Sequence, residues 1–447
     1  MFILFRKLRE GIYIVEVKEL IDILEDRNIF ITGGGGVGKS YLIKQLSEEL
    51  PLVITASTGI AAVNIGGQTL HSWAGIGIGD KPIEQIVGFL NSPKGKNKLR
   101  EINNADFLVI DEISMLNSYI LDYVNEVLKQ VRGINEPFGG IRVIMVGDML
   151  QLPPVKIGEM VEINGANRLI DFCFNSQAWK ELNPYVINLT KVYRQQDKDF
   201  IETLNKIRQG ECDLKSEKLL QKRNFSESTE IDENIVKLYS VNEKADAEND
   251  RRFKALKGKA YKFYATDLIR SYIDGKSQMV GPTNSKLPSW DKAKYEAFDR
   301  DCRVPKVLEL KKGARVILLS NTDFDSGLVN GSCGNVSEIN DHSVKVKFDN
   351  GEECWIQEDT LEIKEGKNVK ISRTQLPLRL AYGLTIHKAQ GLTLDKVFID
   401  FDRVFADGQA YVALSRAKTL EGLYLKHFNA SKIFANDEVK NFYSIIK

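Results

Sequence analysis

The chain has 447 residues, enough for two to four domains that each bury a core of their own. Hydrophobic residues make up 43% and charged residues 28%, an ordinary globular balance, and no uncharged apolar run approaches the roughly 20 residues that cross a bilayer. Sixty-two basic residues offset 61 acidic ones, so the net charge of +1 argues against a broadly adhesive surface but leaves room for local basic grooves.

In chain order, the opening MFILFRKLRE is too short and too soon charged for a signal peptide. Asn28–Thr32, Leu52–Ala56, Phe107–Asp111 and Arg142–Gly147 read as buried strands, and the helix-period segments Tyr41–Leu50 and Ile120–Val131 lie between them. This alternation predicts an α/β fold with a parallel sheet covered on both faces. Ligands of such sheets bind at the carboxyl ends of the strands. Each predicted strand runs into an unusual loop there: GGGGVGKS, STGIAA, DEISM and DMLQLPPV. The second half repeats the style at Asn234–Val241, Lys396–Phe401 and Gly422–Phe428. Arg251–Tyr264 interleaves basic and aromatic residues as a base-stacking groove would, but an ordinary helix-turn-strand is the preferred reading. Leu310–Ile363 changes character: Val344–Phe348 alternates strictly, and Asn330-Gly331 and Asn350-Gly351 are hairpin-turn dipeptides, so a small all-β insertion is expected. The cysteines (173, 212, 302, 333 and 354) are odd in number and form no CxxC pair, which favours reduced thiols in a cytoplasmic setting over disulfides or a zinc site.

Gly33-x-x-x-x-Gly38-Lys39-Ser40 has the form of a phosphate-binding loop between a strand and a helix. Glycines let successive N–H groups curl around phosphate oxygens, Lys39 would bridge the β- and γ-phosphates, and Ser40 would hold Mg²⁺. Asp111 and Glu112 end an apolar strand, which suits a metal-holding carboxylate followed by one that orients water; taken alone the pair could simply start a helix. Gln151 follows the next strand, stiffened by Pro153-Pro154, and could sense a γ-phosphate or belong to a plain turn. Arg194 and Arg416 could stabilise the charge developing in phosphoryl transfer, although an isolated arginine is more often a surface ion pair.

GGGGVGKS, TASTGIAAVNIGGQTLHSWAGIG, VIDEISML, VGDMLQLPP, LTKVYRQQD, YGLTIHKAQGLTLDKV and YVALSRAK resemble, in order, the motifs of superfamily 1 helicases. The wording is most similar to the Pif (petite integration frequency) family, whose own signature the LDYVNEVLKQVRGINEPFGGIRVIM stretch resembles. The resemblance runs from about Asn28 to Phe428 and looks like a bare motor core, as in bacterial members. It implies two RecA-like domains, at 1–175 and at 176–309 with 375–447, and a small β-barrel inserted at 310–374. It also implies ATP and Mg²⁺ as cofactors, a monomer, and 5′-to-3′ movement on single-stranded DNA that unwinds forked or structured duplexes, with no membrane partner. Carried over, Gly33, Gly36, Gly38, Lys39 and Ser40 would hold ATP, with Ser40 and Asp111 on the metal. Asp111 and Glu112 would support hydrolysis, Gln151 would read the γ-phosphate, and Arg194 and Arg416 would be arginine fingers. Gln390 and Gly391 would link nucleotide to DNA, while Thr58, Gly59, His71, Thr385, His387 and Lys388 would face the DNA strand. His71 could instead be a histidine satisfied within its own loop. Two departures stand out. No glutamine precedes Gln45 to read adenine, and Gly34 stands where relatives often have proline. A RecD-like or conjugative motor shares most motifs but lacks the PFGG signature. A non-catalytic binder on a dead ATPase fold need keep neither Lys39 nor Asp111.

Overall fold

The computed structural model describes residues 17–446 apart from 164–165, 226–234, 272–276, 281–294, 297, 300–301, 303, 321–327, 329–330 and 367–368. The opening ten residues, the start of the Asn234 strand and the first residue of the Asn330-Gly331 turn lie outside the described residues. The chain divides into two compact units, Met1–Glu211 with Phe434–Lys447, and Cys212–Ile433.

The first unit is built on strands β1 (Ile29–Gly33), β2 (Leu52–Ala56), β3 (Gln68–Thr69), β4 (Phe107–Asp111), β5 (Arg142–Val146) and β8 (Tyr185–Leu189). They form one sheet in the order β3-β2-β4-β5-β1-β8, parallel throughout. Side chains alternate between its faces, which explains the continuous apolar runs: both faces are covered. Ile29 and Ile31 pack with Val109, Ile144 and the helices Val17–Leu24 and Lys39–Glu49. Phe30, Leu108 and Met145 face the other way, into a core with the helix Ser118–Arg132. A two-stranded antiparallel hairpin, β6 (Met160–Ile163) and β7 (Ala166–Leu169), stands largely exposed outside the sheet.

Residues 176–211 and 434–447, assigned to the second domain from the sequence, lie in the first unit. Two contacts account for this. Strand β8 completes the sheet beside β1, with Ile29 opposite Tyr185 and Gly33 opposite Leu189. The C-terminal helix Asp437–Ile445 stacks Phe442 on Phe174 at 4.3 Å and sets it edge-on to Trp179 at 5.7 Å.

The second unit carries a parallel sheet in the order β21-β9-β22-β23, from β9 (Val236–Tyr239), β21 (Gly383–Thr385), β22 (Val397–Asp400) and β23 (Leu423–Lys426). Its antiparallel part starts earlier than expected. Strand β10 (Tyr261–Tyr264) pairs with β13 (Val307–Leu310). β11 (Thr266–Ser271), β12 (Ser277–Val280), β18 (Asp359–Gly366) and β19 (Val369–Gln375) form a four-stranded sheet. β14 (Arg315–Leu318), β15 (Cys333–Ile339), β16 (Ser343–Phe348), β17 (Glu353–Gln357) and β20 (Leu378–Leu380) form a five-stranded one. The alternation read at Val344–Phe348 is β16, and Asn350-Gly351 is the turn into β17, with Gly351 at φ 95°. Arg373 pins β19 to β11 by donating to both carboxylate oxygens of Asp267 at 2.7 Å, a buried pair whose geometry offsets its desolvation.

Candidate active site

The phosphate loop follows directly from the end of β1. Gly33 has φ 145°, and a Cβ on it would sit 2.3 Å from the Leu189 carbonyl oxygen of β8. Gly36, at φ 79°, would place a Cβ 2.5 Å from the Cβ of Arg194, and the Tyr193 amide donates to the Gly36 carbonyl at 2.8 Å. Gly38, at φ 92°, precedes the helix Lys39–Glu49. The glycine spacing therefore serves steric fit as well as anion binding, since β8 and the segment after it lie against the loop. Arg194 and the exposed ring of Tyr193 are thus neighbours of the phosphate loop within one unit. The Lys39 ammonium donates to the carbonyls of Gly33 and Gly34 at 2.7 and 2.9 Å. Burial pushes its pKa down, against the pull of Asp148, Glu112 and Asp111. Ser40 is exposed in the first turn of the helix.

Asp111 closes β4 and is buried, its Oδ1 accepting the Glu112 amide at 2.9 Å. Burial first, and then the adjacent Glu112, push its carboxyl up to about 7. Glu112 has a left-handed backbone (φ 49°), a costly conformation for a side chain with a Cβ. Ser57 fastens this corner to the loop after β2: its hydroxyl donates to the Glu112 carbonyl at 2.7 Å and its amide to that of Asp111 at 3.0 Å.

The loop after β5 is organised by Asp148, which is fully buried. Arg208 donates to it twice, through Nε to Oδ2 at 2.9 Å and Nη2 to Oδ1 at 2.7 Å. The Leu150 amide and the Gln151 side-chain amide donate to the same carboxylate at 3.2 and 3.3 Å. Burial would raise its pKa, but the Arg208 guanidinium overrides this and holds the carboxyl below its usual range. Tyr443 of the C-terminal helix adds a hydroxyl at 3.3 Å. Gln151 is where the motif predicted, but the three residues that place it were missed. Asp148 was visible inside DMLQLPPV, whereas Arg208 and Tyr443 come from helices with no signal beyond amphipathicity.

The remaining candidates divide between the units. In the first, Thr58 accepts the Ala61 amide at 3.2 Å at the start of the helix Gly59–Asn64, and Gly59 faces open space. His71 lies in the helix Leu70–Ala74, and burial lowers its pKa. In the second unit, Thr385 ends β21 and accepts the Lys388 amide at 3.2 Å. Burial lowers the pKa of His387. Burial also lowers that of Lys388, aided by repulsion from Arg379 on β20, a basic neighbour that sequence reasoning missed. Gln390 is buried, and Gly391 has φ 82°. Arg416 is 1% exposed and donates to the carbonyls of Val412 and Leu392 at 2.8 and 3.3 Å and to Ser415 Oγ at 2.8 Å. Its guanidinium is thus buried and bound into its own unit.

The sequence profile described as PIF1-like helicase matches residues 12–218, and that described as DNA helicase Pif1, 2B domain, matches residues 295–339. The ATP-dependent DNA helicase PIF1 of Homo sapiens is 38% identical over 434 residues, covering 95% of this chain and 62% of that protein. RRM3 of Saccharomyces cerevisiae, also named an ATP-dependent DNA helicase, is 32% identical over 503 residues, covering 93% of this chain and 65% of its own. The chain thus spans less than two thirds of the length of these relatives. Among solved structures, Pif1 helicase from Candida albicans is 32% identical with a TM-score of 0.75, covering 98% of this chain and all of that one. Pif1 from a Bacteroides species, in complex with ADP-AlF4, is 28% identical with a TM-score of 0.76, covering 96% of both chains. The two parallel-sheet units are accordingly RecA-like domains, and this chain belongs to the PIF1-like helicase family.

Proposed function

We propose that the chain is an ATP-dependent DNA helicase that moves 5′-to-3′ on single-stranded DNA and unwinds duplex or structured DNA as a monomer. The observation that carries this reading is the convergence of four sheet-edge loops on one buried polar site. Lys39 lies within electrostatic reach of Asp111, Glu112 and Asp148, and Asp148 in turn holds Gln151. Such an arrangement suits phosphoryl transfer to water. Lys39 would bind the phosphates, Glu112 would orient the attacking water, and Gln151 would read the γ-phosphate. Arg194 and Arg416 would neutralise developing charge. Neighbouring structures support the DNA substrate though not the monomer: Bacteroides Pif1 structures are described as bound to single-stranded DNA, and another as DNA unwinding at forked DNA by two coordinating Pif1 helicases.

The donor set suits magnesium. No cluster of three or more His, Cys, Asp or Glu among the described residues could hold a metal by itself. The exposed Ser40 hydroxyl and the Asp111 carboxylate are hard oxygen donors, and a suppressed carboxylate charge is what a cation would restore. Ser40 and Asp111 would hold Mg²⁺, whose charge offsets that of the phosphates.

For DNA, we assign Thr58, Gly59 and His71 on one unit and Thr385, His387 and Lys388 on the other, joined by Arg379, with Gln390 and Gly391 linking nucleotide to strand. The antiparallel sheets of the second unit would form a barrel that covers the strand. No helix among the described residues is long and apolar enough to cross a membrane. The deciding experiment compares unwinding of forked duplexes bearing only a 5′ or only a 3′ tail. Unwinding restricted to the 5′-tailed substrate and abolished by Lys39→Ala is the expected result, and a 3′ preference would reject the assigned polarity. Hydrolysis unaffected by saturating oligonucleotide would favour a nucleotide-binding protein without motor action.

A further inference from the structure

We propose that Tyr443, near the end of the chain, is a positioning residue for the Gln151 loop, its hydroxyl fastening that loop to the strand that enters the phosphate loop. The inference rests on the hydrolytic reading of the site given above. Three contacts meet on this one oxygen. It shares a hydrogen bond with Thr32 Oγ1 at 2.6 Å, accepts the Met149 amide at 3.1 Å, and donates to Asp148 Oδ1 at 3.3 Å. Thr32 is the last residue of β1 before Gly33, so the hydroxyl joins the root of the phosphate loop to the root of the Gln151 loop. Packing alone does not require a hydroxyl here. The ring already has apolar and cationic neighbours, Phe442 at 5.6 Å and the Arg208 guanidinium at 5.3 Å, which a phenylalanine would keep.

The route of the chain gives this network a second consequence. The chain leaves the first unit after Glu211 and returns at Phe434. The two crossings are side by side: Gly210 has φ 77°, and a Cβ on it would lie 2.5 Å from the Ala435 amide nitrogen. Arg208, two residues before the outgoing crossing, and Tyr443, on the helix after the returning one, both hold Asp148. A shift of the Gln151 loop is thereby passed to both segments that connect the units. The same carboxylate that holds Gln151 also holds a residue on each side of the crossing.

Tyr443→Phe tests this without emptying the core, and Thr32→Val removes the partner hydroxyl with little change in shape. Both are expected to lower DNA-stimulated kcat by about tenfold, the effect of one or two lost hydrogen bonds, with KM for ATP within about twofold of the parent. A structural role alone would lower the melting temperature and the active fraction but not the turnover of folded enzyme. An activity-independent readout is amide exchange of residues 437–445 with and without ADP-aluminium fluoride. The analogue should slow exchange there in the parent and much less in Tyr443→Phe. Parental kcat in both variants, or equal protection in parent and Tyr443→Phe, overturns the proposal. A parent that fails to bind the analogue refutes the hydrolytic reading instead, and this inference falls with it.

Discussion

Asp111 is a single buried group that ties stability to pH and, under the proposed function, to metal binding. Its carboxyl, raised to about 7 by burial and then by Glu112, stays protonated in the folded chain at pH values where the unfolded chain has already released that proton. Between the unfolded value of about 3.9 and about 7 the folded state binds more protons. Asp111 therefore costs stability progressively as pH rises through that window, and fully above it. Without Mg²⁺, Asp111→Asn is expected to raise the melting temperature at pH 8 and to change it little below pH 4, while in the presence of Mg²⁺ the variant should lose hydrolysis. Because metal binding requires the ionised form, hydrolysis at limiting Mg²⁺ should fall as pH drops through about 7. The midpoint should move to lower pH as Mg²⁺ is raised. A midpoint indifferent to Mg²⁺ would show that Asp111 does not hold the metal.

Among the elements, the helix Ser118–Arg132 and the PFGG segment that follows it explain why a sequence signature can be structural. Phe138, Gly139 and Gly140 all have left-handed backbones, at φ 52°, 62° and 78°. The Phe138 amide donates to Asn125 Oδ1 at 2.7 Å, back on the helix. Arg132 donates to the Gly139 carbonyl and to that of Ile102, both at 2.6 Å. A Cβ on Gly139 would meet the Leu128 carbonyl oxygen at 2.7 Å. The motif thus turns the chain sharply from the helix into β5, whose end carries the Asp148 loop. Gly139→Ala should cost about 2 kcal/mol in urea unfolding, combining backbone strain with a backbone clash. Turnover per folded molecule should stay unchanged, because no catalytic side chain lies in the turn. A loss of turnover without a loss of stability would assign PFGG to the chemistry.

Across the whole molecule, charge is the feature least like a nucleic-acid binder: 62 basic residues against 61 acidic ones leave +1. Under the proposed function, affinity for DNA would then come from a few local cations. Lys388 and Arg379 are close enough for the guanidinium to lower the pKa of the ammonium, a repulsion that an intervening phosphate would relieve. Log affinity for an oligonucleotide should fall linearly with log salt as counterions are released. Lys388→Ala should reduce the slope by about one unit, and Arg379→Ala should do the same. A slope unchanged in both variants would place these side chains away from the phosphates.

The sequence by itself determined the local motifs and the fold class. The glycine spacing, the apolar strands and the carboxylates at their ends are written in consecutive residues. For the same reason the phosphate loop, Asp111 and Glu112 occupy the strand-end loops in which they were expected. The parallel sheet was legible because strands covered on both faces must be apolar throughout. Tertiary structure alone decided the rest. That β8 pairs with β1 and that Phe442 stacks on Phe174 are long-range choices made by packing, with no local signature. They bring residues 176–211 and 434–447 into the first unit, and with them Arg194 against Gly36 and Tyr443 against Asp148. Contacts separated by hundreds of residues depend on which surfaces bury each other, and a linear pattern of hydrophobicity does not encode that partner choice.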